Sequence, residues 1–171
     1  MERTDPIRRK TEAILLNGPS SAGKSSIARA LRRKLSSLGI AAKIVSLDDH
    51  LHMSAEEPIW EDDVYETVPK MCEEIRAALG EGRTLIVDHV ITSPRIYDAL
   101  LEAFAGHPMK SVLVTCDPEF LREREKARGD RYAGSAEASL RYLYPRTGYD
   151  LRLDSGAQGP EALAETILGI L

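Results

Sequence analysis

Gly18-Pro19-Ser20-Ser21-Ala22-Gly23-Lys24-Ser25 is the stretch that decides the fold. It fits G-x-x-x-x-G-K-[ST], the phosphate-cradling P-loop. Small and glycine residues let several backbone N–H groups turn inward around a polyphosphate. The lysine ammonium reaches the outer phosphates, and the serine hydroxyl ligates magnesium. The apolar run Ala13-Ile14-Leu15-Leu16 precedes the loop, and Ser26-Ile27-Ala28-Arg29-Ala30-Leu31 opens a helical pattern after it. That helix points its N-terminus at the phosphates, as its macrodipole favours. The order strand, loop, helix separates the motif from a chance Gly/Ser turn. The reading is nucleoside triphosphate binding through Gly18, Ser20, Ser21, Ala22, Gly23, Lys24, Ser25 and Ser26.

The rest of the chain sets bounds on that reading. Its 171 residues suffice for one domain with a proper core and are short for two. No apolar run approaches the ~20 residues of a membrane span, and Met1-Glu2-Arg3-Thr4-Asp5-Pro6 lacks the apolar region of a secretory signal. Cys72 and Cys116 are too few for a disulfide framework, which suits reduced thiols in a cytoplasmic protein. A net charge of −4 disfavours a broad nucleic-acid surface.

Strand-like and helix-like runs alternate, the pattern of an α/β parallel sheet covered on both faces. The expected strands are Ala13–Asn17, Ala42–Leu47, Thr84–Val87, Ser111–Cys116 and Leu151–Asp154. The first helix, from about Lys24 to Leu38, carries Ile27, Leu31, Leu35 and Leu38 on one stripe. A second, from about Asp62 to Leu79, contains Pro69, a possible break. Ser93-Pro94, Asp117-Pro118 and Gly159-Pro160 are start signals for three more. In such a sheet, ligands bind beyond the carboxyl ends of the strands.

After the second strand stands Asp48, placed to accept a proton from an attacking hydroxyl, with Asp49 as back-up. The competing reading is a cap on the next segment. His50 and His52 have no companions at zinc-like spacing. After the third strand, Asp88 is the Walker-B-like carboxylate that orients magnesium. Further on, Arg124, Arg128 and Arg131 fall at i, i+4 and i+7. Like charges at that spacing oppose each other by ~0.2–0.5 kcal/mol per pair, which makes sense if an anion lies between them. Guanidinium forks suit a transferring phosphoryl group. Gly129 supplies a hinge, so a lid is expected over about residues 122–146. A solvated charged helix is the bland alternative.

From Ile44 to Pro69 there is no Lys or Arg, while Asp48, Asp49, Glu56, Glu57, Glu61, Asp62, Asp63 and Glu66 are acidic. Met53, Ile59, Trp60 and Tyr65 are interleaved. A phosphate-bearing acceptor would need basic groups here. An acidic and aromatic segment suits a neutral or cationic hydroxyl compound, held by Asp49, Trp60 and Tyr65. A solvated acidic face over a few core aromatics is the alternative.

With these residues in view, the chain resembles the chloramphenicol phosphotransferase family of small P-loop kinases. The resemblance rests on Leu16–Ser25, on Ala127-Arg128-Gly129-Asp130-Arg131, and on Gly148-Tyr149-Asp150-Leu151-Arg152-Leu153-Asp154-Ser155. It implies a five-stranded kinase-type sheet, ATP with Mg2+, and phosphorylation of a hydroxyl on a small acceptor, antibiotic-like or metabolite. Asp48 matches the family's catalytic Asp, and Arg124, Arg128 and Arg131 its lid arginines. The catalytic set is thus Asp48, Lys24, Arg128 and Arg131, with Ser25 and Asp88 for the metal and Arg124 and Arg128 also toward the nucleotide. Departures fall on the acceptor side. Residues from His50 to Thr67 differ from the family's chloramphenicol-binding stretch, and Tyr144-Pro145 stands where the family tends to carry His. The expected assembly is a monomer or homodimer. The alternatives are a nucleotide or other metabolite kinase, or a nucleotide-binding switch, although the chain lacks the Asn-Lys-x-Asp of guanine-specific switches.

Overall fold

A computed structural model describes residues 12–171; the Met1–Pro6 stretch read above for a signal lies outside the described residues. Five parallel strands form one sheet in the order β2-β3-β1-β4-β5. They are β1 Ala13–Asn17, β2 Ala42–Ser46, β3 Thr84–His89, β4 Met109–Thr115 and β5 Leu151–Asp154. The helices are α1 Lys24–Ser37, α2 Glu61–Gly80, α3 Pro94–Ala103, α4 Pro118–Arg128, α5 Ser135–Arg141 and α6 Pro160–Leu168.

The pleat divides the apolar strand residues between two cores. Ala13, Leu15, Leu85 and Val87 face α2 and α3, whereas Ile14, Leu16, Ile86, Val112 and Val114 face α1 and α6. The near-continuous apolar runs read from the sequence are therefore strands covered on both sides. β1 lies between β3 and β4, so the chain order reverses at its carboxyl end. That is where an open α/β sheet presents its crevice.

Several boundaries differ from expectation. β2 stops at Ser46 because Leu47–Asp49 forms a single 3-10 turn. β3 continues through Asp88 and His89, which pair in register with Ser46 or with Asn17. α2 runs unbroken through Pro69. Its stripe of Val64, Val68, Met71, Cys72 and Ile75 is buried on both sides of the proline, and this packing offsets the lost hydrogen bond. α5 is a short helix that no stripe announced. Ser93 and Asp117 cap α3 and α4 as expected, accepting from the backbone N–H of Ile96 and Glu119. Cys72 and Cys116 are buried and unpaired. No helix among the described residues is long and apolar enough to cross a membrane.

Candidate active site

The P-loop leaves β1 at Asn17 and enters α1 at Lys24, with Gly23 left-handed at φ 89°. Gly18 passes so close to β4 that a Cβ there would lie 2.0 Å from the carbonyl oxygen of Val114. Ser21 adopts φ 65°, rare for a non-glycine residue, and its buried hydroxyl has no hydrogen-bond partner among the described residues. Strain and an unpaired buried hydroxyl both mark a loop shaped for something outside the protein.

Lys24 is buried at 6% exposure and donates to the carbonyl of Pro19 at 2.7 Å. Burial pulls its ammonium below the usual range, with the carboxylates of Asp88 and Asp48 acting in the opposite sense. Ser25 Oγ donates to Asp88 Oδ2 at 2.6 Å, and Ser46 Oγ lies 3.5 Å from the same oxygen. Burial lifts the Asp88 carboxyl, against Lys24 and the Ser25 hydroxyl. These are hard oxygen donors. No cluster of three or more metal-ligating side chains occurs among the described residues. A hydroxyl, a carboxylate and substrate phosphates are nevertheless a donor set that suits Mg2+, which is rarely caged by protein alone.

Asp48 sits on the 3-10 turn after β2, in the cleft that also contains the P-loop. Arg131 Nη2 donates to Asp48 Oδ2 at 2.7 Å, and Arg128 Nη2 lies 3.6 Å from the same oxygen. Asp130 closes the cluster at 2.9 Å from Arg131 Nη1 and 3.3 Å from Arg128 Nε. Arg124 points elsewhere. Its guanidinium donates to Ser155 Oγ at 2.9 Å and Ser155 O at 2.7 Å, tying α4 to the loop after β5. Nor do the three arginines share one helix stripe. α4 ends at Arg128, and Gly129 at φ 71° turns the chain before Arg131.

One cleft of about 1500 Å³ contains the P-loop, Asp48, Asp49, Asp88, Arg124, Arg128, Arg131 and Trp60. Tyr65 does not line it. Its ring lies under the Arg95 guanidinium, 3.9 Å from the centroid, while Arg95 also binds Glu61 and Asp62. That pairing holds the Glu61 carboxyl below the usual range.

Residues 11–171 match the family described as chloramphenicol phosphotransferase-like protein. The chain belongs to this family. It is a phosphotransferase of the P-loop kinase class. Solved structures share its fold at low identity. The Mycobacterium tuberculosis APS kinase in complex with AMPPNP and APS is 18% identical, with 94% of this chain and 96% of that one covered at a TM-score of 0.75. A gluconokinase from Sinorhizobium meliloti is 20% identical, covering 94% and 91% at 0.69. A Deinococcus radiodurans tunicamycin resistance protein is 20% identical, covering 94% and 95% at 0.65. No curated protein matches the chain in sequence.

Around the cleft of this phosphotransferase stand further residues that the sequence did not single out. Asn17 donates to Tyr144 O and Tyr149 Oη, both at 2.9 Å, and accepts from the N–H of Gly18 and of Ile91. It fixes the root of the P-loop to the segment before β5. Buried Glu125 accepts from the N–H of Gly134 and Ala136, capping α5. From α5, Ser139 Oγ accepts the Ser20 N–H at 2.9 Å, linking this segment to the P-loop. Tyr132 and Tyr142, both exposed, line the same cleft as Asp49 and Trp60. His89 is fully buried in the cleft wall, and neither ring nitrogen has a hydrogen-bond partner among the described residues. Burial lowers its pKa to about 3; a backbone group of Val90 supports the charged form without reaching hydrogen-bond geometry. Such an unpaired group costs roughly 1–3 kcal/mol.

Proposed function

We propose that this phosphotransferase moves the γ-phosphoryl group of ATP to a hydroxyl of a small acceptor, antibiotic-like or metabolite. The reading rests on one observation above all: Asp48, reached by Arg131 at 2.7 Å, shares a cleft with the P-loop lysine. Asp48 accepts the proton of the attacking hydroxyl and holds its oxygen in line. Lys24 and the inward-turned N–H groups of the loop bind the phosphates, while the N-terminus of α1 adds its dipole. Arg128 and Arg131 leave Asp48 for the transferring group and offset the charge that develops there. Ser25 and Asp88 would hold Mg2+, which would neutralise part of the phosphate charge. Arg124 supports the nucleotide side of the loop. Asp49 and Trp60 wall the acceptor; Tyr65 stays outside that wall, beneath Arg95. We take residues 122–146 as a lid on a single catalytic domain, with small-molecule acceptors rather than nucleic acid as partners.

The test is ADP release with ATP, magnesium and a panel of hydroxylated antibiotics and metabolites, with the phosphorylated acceptor detected directly. Asp48→Asn keeps shape and removes proton acceptance, so acceptor phosphorylation falls by about 10²–10⁴-fold while ATP affinity changes little. Asp49→Asn has the smaller effect. ADP and free phosphate with every acceptor would point to a slow nucleotide-hydrolysing switch instead. A severe Asp49→Asn beside a benign Asp48→Asn would exchange the two roles.

A further inference from the structure

We propose that Ser139 is a positioning residue for the nucleotide: its hydroxyl takes up the Ser20 N–H and so fixes the arrangement of P-loop peptides that leaves other N–H groups for the phosphates. This rests on the nucleotide reading of the loop above and names a side chain, distant in sequence, that shapes it.

The loop uses its N–H groups in two sets. Gly18 donates to Asn17 Oδ1 at 3.0 Å, Ser20 to Ser139 Oγ at 2.9 Å, and Ala22 to the carbonyl of Pro19 at 3.3 Å. Ser21 and Gly23 alternate with these, and their N–H groups have no hydrogen-bond partner among the described residues. Both residues are left-handed, at φ 65° and 89°. Left-handed residues in such a loop bring N–H groups to one concave side, an anion-binding nest. Asn17 and Pro19 are local acceptors. Ser139 alone comes from elsewhere, 119 residues along the chain.

Ser21 carries a side chain in a conformation that favours glycine, so the loop keeps it only where its surroundings hold it. Ser139 is placed to do so. Its own proton goes to the carbonyl of Ala136 at 2.9 Å, one turn earlier in α5, so the hydroxyl meets Ser20 as an acceptor. α5 is fixed in turn from α4, because the buried Glu125 carboxylate accepts from the N–H of Gly134 and Ala136. Beyond Ser139 the chain is pinned again at the root of the loop, where Asn17 Nδ2 donates to Tyr144 O and Tyr149 Oη. The segment 134–149 therefore grips the P-loop at Asn17 and at Ser20. Two internal hydrogen bonds on a half-buried hydroxyl separate Ser139 from a solvated surface serine.

Two variants of the full chain test this. Ser139→Ala removes the acceptor, whereas Ser139→Thr keeps it. Calorimetric titration with AMPPNP and magnesium should show Ser139→Ala weakened by about three- to tenfold, the effect of one hydrogen bond, and Ser139→Thr within about twofold of the parent. Without nucleotide, amide exchange at Ser20 should quicken by roughly tenfold in Ser139→Ala, with β1 and the core of α1 unchanged. Parent-like AMPPNP affinity in Ser139→Ala, or a Thr variant as weak as the Ala variant, overturns the proposal. So does a weakened Ala variant whose exchange has quickened throughout β1 and α1, since that is a loosened fold and not a misplaced loop. Phosphorylation of an acceptor panel by the parent is scored separately. No transfer to any acceptor beside a weakened, Thr-rescued variant removes the kinase reading and keeps Ser139 in this role; transfer beside unchanged AMPPNP affinity does the reverse.

Discussion

Gly18 has no room for any side chain, because a Cβ there would lie 2.0 Å from the backbone carbonyl of Val114. Gly129 is different: nothing lies within 4 Å of a Cβ there, but φ is 71°. The two glycines therefore fail for separate reasons when replaced. Gly18→Ala must push the P-loop off β4 and costs about 1–3 kcal/mol or more, with nucleotide binding lost alongside stability. Gly129→Ala costs about 1–2 kcal/mol through backbone strain alone. Urea midpoints and nucleotide titrations on both variants check this; a Gly18→Ala protein as stable as its parent would show that the approach to β4 is not a constraint. The P-loop glycines were legible because their spacing lies within a single short stretch of sequence. Asn17 was not. Its partners Ile91, Tyr144 and Tyr149 are 74, 127 and 132 residues away, a relation only the folded sheet creates. Tyr65 failed for a related reason, since its place beneath Arg95 depends on how α2 meets α3.

α5 depends on a side chain outside it. Gly134 precedes the helix at φ 90° with no side-chain cap of its own, and Glu125 of α4 supplies the acceptors for the N–H groups of Gly134 and Ala136. The carboxylate is 8% exposed, so removing it leaves buried donors unpaired. Glu125→Ala should destabilise α5 locally by about 1–3 kcal/mol. Amide exchange over residues 134–141 should then quicken by roughly tenfold or more, with β1 and α1 unchanged. Because Ser139 bonds the Ser20 N–H, turnover should fall as well. Unchanged protection of α5 would remove Glu125 from this role. The longer elements were legible from their apolar stripes, and proline start signals located α3, α4 and α6. α5 gave no such signal, having seven residues and only Ala136 buried. α2 ran through Pro69 because tertiary burial outweighed a local breaker, which no propensity argument weighs.

At the scale of the whole molecule, the sheet buries ionisable groups at the site that a protein built for stability alone would avoid. His89 is the clearest, fully buried with a pKa of about 3 against an ordinary 6.5. Its folded value is depressed, so between pH 6.5 and about 3 the unfolded chain binds a proton that the folded chain refuses. Stability must fall as pH falls through that window, by about 1.4 kcal/mol per pH unit and a few kcal/mol in all. Asp88 works the other way. Burial raises its carboxyl above 3.8, so acidification returns a proton that the folded state prefers, and part of the loss is offset. His89→Leu places an apolar, non-titrating side chain on the same face as Leu85 and Val87. Between pH 7 and pH 4.5 its urea midpoint should shift less than that of the parent, by an amount equivalent to roughly 2 kcal/mol. Comparing the change with pH, rather than stability at one pH, cancels any packing defect the substitution introduces. Equal pH dependence in the two proteins would mean that the histidine is solvated or paired in solution.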